Sequence, residues 1–485
     1  MAILPVQFLS ALDQAKLLRS RKISSVELLN ENLGQYGKLN GALNAVIVAD
    51  VERATLAAAA SDRRLKKGAA LGPFDGVPMT VKESFNWSGT PTTWGAIPHR
   101  DNIAKDDAVA LTRLTDAGAV LYGKTNVPFM LADWQSFNDI YGTTNNPWDV
   151  TRVPGGSSGG SAVALATGMS ALELGSDIGA SIRNPAHYCG VYGHKPSYGI
   201  VPMRGHTLGT IAPTDISCAG PLARSASDLA AMLRILAAPD GFESRAMTLA
   251  LPKPRQTKLK EFRVAVMVND AQSEVDQPLQ DLIGACAGFL EKKVKAISYA
   301  ARPAFSTAEA FDIYIALLRS ATSRRQSLEE FAANEAKVKG FDPVDRSYLS
   351  NMLRAYVMPH RSWLIANERR HQMQMLWDDF FNDWDVLICP TAASAAFPHD
   401  HAGERHERMI DVNGKRVPTV DQLFWAGYSC GFGLPSTVAP IGLTSQGLPG
   451  GLQIISRVYD DLTAIRFAEL LEREYHRFTP PPMAL

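Results

Sequence analysis

The sequence has no apolar run of the roughly 18–20 residues that a membrane-spanning helix requires. No basic segment followed by an apolar one opens the chain, so a soluble, cytoplasmic protein is expected. Neither sign of charge dominates, with 49 Lys plus Arg against 49 Asp plus Glu. That balance removes any general attraction to nucleic acid or anionic membranes, and neither is expected as a partner. Cysteine is scarce: five residues, an odd number, widely spaced and without a Cys-x-x-Cys pair. Free buried thiols are expected, rather than a disulfide framework or a thiolate metal site. No internal repeat is present, which excludes solenoids and propellers.

What is present is material for a large core: 485 residues, 46% of them hydrophobic. Residues 7–65 read as helical. Ser24-Ser25-Val-Glu27 supplies a cap ahead of an apolar stripe, and an alanine-rich stretch from Val51 to Leu65 carries a charged face. Val77-Pro-Met-Thr-Val81 reads as a short buried strand. An amphipathic helix follows over Asp107–Ala117, then a strand at Ala119-Val-Leu-Tyr122. This βαβ rhythm points to an α/β sheet. The segment 240–260, with Pro252 and Pro254 among basic residues, reads as a surface connection, and 275–385 is mostly helical in pattern. Asp385-Val-Leu-Ile-Cys389 returns to strand, Asn413-Gly414 marks a hairpin, and Leu462–Arg473 closes as a helix.

The chemistry concentrates in Gly155-Gly156-Ser157-Ser158-Gly159-Gly160-Ser161-Ala162. Four glycines around the serines suit a backbone that turns sharply or approaches something closely. A phosphate loop would need Lys after Gly160, where Ser161 stands instead. Downstream lies Gly175-Ser-Asp177-Ile178-Gly179-Ala180-Ser181-Ile-Arg183-Asn-Pro185. A serine on a tight turn exposes its hydroxyl together with adjacent N–H groups, which a developing oxyanion needs. A hydroxyl alone is a poor nucleophile and needs a base. No Gly-x-Ser-x-Gly elbow surrounds these serines, and lysine is the alternative base. Lys82 follows an apolar strand in Gly76-Val77-Pro78-Met79-Thr80-Val81-Lys82, where burial would disfavour its charged form. Asp177 and Arg183 flank Ser181 and are expected to pair and hold the loop.

Taken together, these three segments resemble the amidase signature family. The resemblance extends through Gly123-Lys124-Thr125-Asn126, Tyr141 to Trp148 and Gly190 to Pro196, and resumes at Asp385 to Thr391 and Gly447 to Gln453, nearly the whole chain. It implies one α/β domain over 1–485 with a large mixed central sheet covered by helices on both faces. Within it, about 1–65 is helical, about 66–240 and 386–485 form the catalytic core, and about 260–385 is a more helical, variable part. It also implies an amide hydrolase with Ser181 as nucleophile and Lys82 as base. Ser157, expected after a cis peptide bond, bridges the two. The N–H groups of Ile178, Gly179, Ala180 and Ser181 form the oxyanion hole. The chain departs from many relatives in having Ala180 for Gly, Glu83 for Asp, Phe129 for Glu and His194 for an apolar residue. An alanine at 180 leaves its N–H available if its backbone angles are ordinary.

No cofactor or metal is expected; His399-Asp400-His401 with His406 has short spacing but reads as a solvated loop. Aromatic residues in the segments around the family's pocket, Phe129, Tyr141, Tyr188 and Trp425 above all, point to a small neutral aromatic or hydrophobic amide. Three alternatives stand beside a free-standing amidase. One is an esterase or urethanase using the same acyl chemistry. Another is the amidase subunit of a tRNA-dependent amidotransferase, whose Asp-Gly-x-Arg-Tyr-Gly stretch is missing from 310–345. The third is a non-catalytic binding module, against which the retained serines and lysine speak. A homodimer is left open.

Overall fold

The computed structural model describes residues 4–485. Its strands run, in chain order, β1 (Val46–Ala49), β2 (Pro78–Lys82), β3 (Val120–Thr125), β4 (Phe137–Asn138), β5 (Gly142–Thr143), β6 (Leu172–Asp177), β7 (Tyr192–Lys195) and β8 (Cys218–Ala223). Then follow β9 (Arg263–Val266), β10 (Ala296–Ser298), β11 (Val386–Pro390), β12 (Met409–Val412), β13 (Lys415–Pro418), β14 (Ser436–Leu443) and β15 (Pro449–Ile455). Eleven of them form one mixed sheet in the order β1-β3-β2-β6-β8-β7-β14-β15-β11-β9-β10. β3, β2 and β6 are mutually parallel, as are β11, β9 and β10, and antiparallel pairs join the two groups.

Successive strand residues face opposite sides of a sheet, and here both sides are covered. In β3, Leu121 joins one apolar cluster while Val120 and Tyr122 join the other. In β2, Met79 and Val81 pack with Leu172 and Leu174 of β6, which leaves Thr80 and Lys82 on the opposite face. Coverage of both faces explains why these strands read as unbroken apolar runs rather than alternating ones. The helix Gly159–Ala166 is buried along its whole length. Only glycine fits at 160, because a Cβ there would press on the backbone of Asn126 and Ala45.

The expected strands at 77–81, 119–122 and 385–389 are present as β2, β3 and β11, and the expected helices are Val109–Asp116 and Asp461–Glu474. Asn413 and Gly414 both adopt positive φ, 51° and 75°, and close the β12–β13 hairpin. The helical reading of 7–65 needs a correction. Three helices, Ala11–Arg19, Ser25–Leu43 and Val51–Lys66, are interrupted by β1. Asn44, left-handed at φ 49°, ends the second helix, and the Asp50 side chain caps the third. Between them Val46-Ile-Val-Ala49 is too short for a helix and pairs antiparallel with β3. Likewise β10 interrupts the helical stretch 275–385, which otherwise forms five helices. Among the described residues no helix is long and apolar enough to cross a membrane. All five cysteines are free and buried.

Candidate active site

Three pieces of backbone bring the candidate residues together. Lys82 ends β2, Ser157 precedes the helix Gly159–Ala166, and Ser181 lies in the turn between β6 and the helix Arg183–Cys189. Parallel pairing of β2 with β6, with Val81 opposite Leu174, brings the Lys82 side chain within reach of Ser176. Lys82 is fully buried, and its Nζ lies 2.6 Å from Ser157 Oγ and 2.9 Å from Ser176 Oγ, with the Ser176 carbonyl at 3.3 Å. Burial draws its pKa down to about 7, against the opposing pull of Asp177 and other carboxylates. The Gly156–Ser157 peptide bond is cis. Gly155, at φ +88°, leaves no room for a Cβ beside Asn184 and Pro185.

The turn carrying Ser181 is built on Asp177. Its carboxylate accepts N–H bonds from Ala180 (2.9 Å), Ile182 (3.1 Å) and Arg183 (3.4 Å), and faces the Arg183 guanidinium at 2.9 and 3.0 Å. Burial alone would raise Asp177; the Arg183 charge and hydrogen bonds outweigh it and hold it at about 2. Arg183 Nη1 in turn reaches the Ala426 carbonyl, Ser429 Oγ and Gln453 Oε1. The expected Asp177–Arg183 pair is therefore present, entirely buried, and ties the turn to the helix Leu423–Cys430 and to β15.

Two expectations change. Ala180 is left-handed, φ +68°, and its N–H is bound to Asp177, so it is not free for an oxyanion. Among the described residues the N–H groups of Ile178, Gly179 and Ser181 remain without an acceptor. The Ile178 carbonyl takes the Tyr314 hydroxyl (3.2 Å) and the Gly179 carbonyl takes the Trp134 indole N–H (2.8 Å), which fixes both peptide planes. The second change concerns the bridge. Lys82 and Ser157 are joined, but the Ser181 hydroxyl makes no hydrogen bond among the described residues. The two serine loops meet instead through Ser158 N–H and the Ser181 carbonyl (3.1 Å).

Ser181, with Ile178 and Gly179, borders a cavity of about 660 Å³. Of the four expected binding aromatics, only Phe129 lines it, 56% exposed. Tyr188 is wholly buried, its ring edge-on to Phe397 and its hydroxyl 3.4 Å from Gln422. Trp425 is core, its indole N–H spent on the Ser273 carbonyl. Half-buried Tyr141 lies outside the cavity lining, its carbonyl held by Asn44. Met130, Trp134, Leu318 and Leu423 supply the apolar wall instead. Arg319, Arg325 and Arg405 share that wall with Asp133, Glu330 and Glu404.

Two buried residues with no sequence signal flank the surroundings of Lys82 without touching it. His206, in a Gly- and Pro-rich loop, places Nε2 2.8 Å from Ser176 Oγ, while its Nδ1 has no partner among the described residues. Phe85 and Trp94 enclose its ring, and burial with the nearby Lys82 charge pushes its pKa well below the usual value. On the far side Glu173, bonded by the Thr80 hydroxyl, is raised by burial to about 8. Its charge, where present, favours the protonated lysine, and burial works against that charge. Elsewhere, His401 stacks on Phe137, and among the described residues no three His, Cys, Asp or Glu side chains gather as metal ligands.

This sheet, with a buried lysine beside two glycine-rich serine loops, is the architecture of an amide-cleaving hydrolase. The amidase family model matches residues 27–464, and the chain belongs to that family, acting on carbon–nitrogen bonds. It is 30% identical to human fatty-acid amide hydrolase 2 over 511 residues, covering 98% of this chain and 91% of that one. It is 31% identical over 485 residues to one subunit of the glutamyl-tRNA(Gln) amidotransferase of Anaeromyxobacter sp. (strain K), covering 96% and 95%. The solved structure of a bacterial aryl acylamidase of the amidase signature family superposes with a TM-score of 0.79 at 24% identity, covering 97% of each chain.

Arg183→Leu should destabilise the fold by about 3–5 kcal/mol, because it strands the Asp177 carboxylate in the interior. Chemical denaturation of the two proteins checks this; a loss under about 1 kcal/mol would show that the pair does not hold the turn.

Proposed function

We propose that the chain hydrolyses small amides through an acyl-enzyme on Ser181, with Ser157 and Lys82 moving the proton. Neutral Lys82 accepts the Ser157 proton as Ser157 takes that of Ser181. Ser181 Oγ attacks the carbonyl carbon, and the oxyanion is met by the N–H groups of Ile178, Gly179 and Ser181. As the tetrahedral species collapses, the carbon–nitrogen bond breaks and the proton returns through Ser157 to the leaving amine. Water then attacks the acyl ester and releases the carboxylic acid. The observation that carries this reading is the 2.6 Å contact between Ser157 Oγ and the buried Lys82 Nζ, in a setting that lowers the lysine to about 7.

An apolar part of the substrate would lie on Phe129, Leu318 and Leu423. Esters and carbamates can pass through the same acyl-enzyme, so an esterase or urethanase activity on the same residues remains the nearest alternative. The likeness to an amidotransferase component supports a second reading, in which glutamine is the substrate and a partner protein is required.

A fluorophosphonate should label Ser181, and Ser181→Ala should lose both label and turnover; an adduct on another residue in peptide mass spectrometry refutes the assignment. Lys82→Ala should slow turnover by roughly 10²–10⁴-fold. Because the active lysine is the neutral form, the wild-type rate should climb as pH passes about 7 and level off above it. A variant retaining that profile would place the base elsewhere. In catalytic efficiency an arylacetamide or anilide should exceed acetamide and glutamine by about 30-fold, the worth of burying a ring. Preference for glutamine, or activity only with a second protein, would favour the amidotransferase reading.

A further inference from the structure

Three arginines line the cavity, and among the described residues none of them pairs with a carboxylate; Arg319 and Arg325 stand nearest one another in the chain. Arg319 is buried in the helix Thr307–Thr322. Its Nη2 reaches the Tyr348 hydroxyl, its guanidinium lies 5.5 Å from that ring, and its Nε has no partner among the described residues. Arg325, just past that helix, donates to the Met130 carbonyl (2.9 Å) and lies 4.9 Å over the Trp94 ring. Burial opposes both charges; nearby tyrosines favour them, enough to raise Arg319, while Arg319 and Arg405 further disfavour that of Arg325. Arg325 is open to water through the cavity, yet enough protein surrounds it that desolvation pulls its guanidinium down to about 10.

The rest of the wall does not cancel this charge. Lys337 and Arg405 add to it, and Arg405 is spent on the Ala132 carbonyl rather than on an acid. The wall also holds Asp133, Glu330 and Glu404. Asp133 is taken by Arg408 at 2.5 Å, and Glu330 turns back to cap its own helix at Ser327 N–H (2.7 Å). For buried Arg319, a cation without a counter-ion is costly unless something brings one, and Arg325 offers a second, accessible guanidinium in the same wall. The planar guanidinium fork matches a carboxylate in two-point contact. With acids also in the wall, the excess suits a single negative charge better than a phosphate dianion.

We propose that Arg325 and Arg319 receive a carboxylate of the substrate, so that monoanionic amides are preferred here over neutral ones of the same size. Such a substrate carries a carboxylate at one end, an apolar stretch on Phe129, Leu318 and Leu423, and the scissile amide at Ser181. This rests on the amidase reading above and replaces the neutral ligand expected from sequence. The bound carboxylate also offsets the Arg325 charge, one of those that depress Lys82.

The test compares two 4-nitroanilides of similar size: glutaryl, ending in a carboxylate, and 5-methylhexanoyl, ending in an isopropyl group. Wild type should prefer the acid in kcat/KM. Arg325→Gln should lower the ratio of acid to isopropyl substrate by roughly 10- to 100-fold, mainly through KM. Arg325→Lys, which keeps the charge, should recover part of it. Equal use of both substrates by wild type, or an unchanged ratio in Arg325→Gln, overturns the proposal while leaving the amidase reading intact. If neither anilide is cleaved, the amidase reading is what fails, and calorimetry with the glutaryl anilide decides the anion site. Binding to Ser181→Ala that is lost on adding Arg325→Gln supports it. No binding, or equal binding to both, overturns it.

Discussion

The buried pair of Asp177 and Arg183 is the constraint on which the serine turn depends. One carboxylate gathers three backbone N–H groups and a guanidinium, and the same guanidinium reaches a helix and a strand from the far end of the chain. Such a pair stabilises only if nearly every donor and acceptor is satisfied, and here the ligands are spread over segments more than two hundred residues apart. The turn is thereby fixed with Ala180 left-handed and with the flanking carbonyls turned onto Tyr314 and Trp134. What remains unspent on that turn, among the described residues, is one hydroxyl and three N–H groups.

Lys82 meets the opposite condition. Asp177 lies near enough to favour its charge, but Arg183 already engages that carboxylate closely. Of the two further buried acids that act on Lys82, Glu173 is itself pushed toward the neutral form and Glu83 is engaged by Thr93 and Trp94, while His206 behind Ser176 is kept uncharged. Desolvation therefore decides the lysine, and three oxygens, those of Ser157 and Ser176, orient it without a formal ion pair. A paired aspartate and an unpaired lysine within one core give the two ionisable groups opposite fates, which is how a single site can hold a fixed anion and a group able to accept a proton.

Much of this was legible in the sequence because the constraints are local. Glycine-dense loops, an apolar run ending in lysine, and an aspartate six residues before an arginine each leave a mark at short range. Turns such as Asn413-Gly414 are legible for the same reason. β1 escaped notice because four apolar residues between two capped helices carry no period. The binding residues escaped for another reason: aromatic side chains in one segment go to the core or to the cavity according to contacts made far away. Tyr188 and Trp425 are claimed by Gln422 and Ser273, whereas Trp134 and Leu318, unmarked in the sequence, reach the wall. His206 likewise gains its place only through the packing of Phe85 and Trp94.

The most direct measurement of the central claim is the titration of Lys82 itself. In protein carrying lysine labelled with ¹³C at the ε position, its resonance is assigned by its absence from Lys82→Arg and followed from pH 5 to 11. A midpoint near 7 is expected, so that the amine is largely free to accept a proton under working conditions. A midpoint near 10, the ordinary lysine value, would leave the group charged and contradict its role as the base.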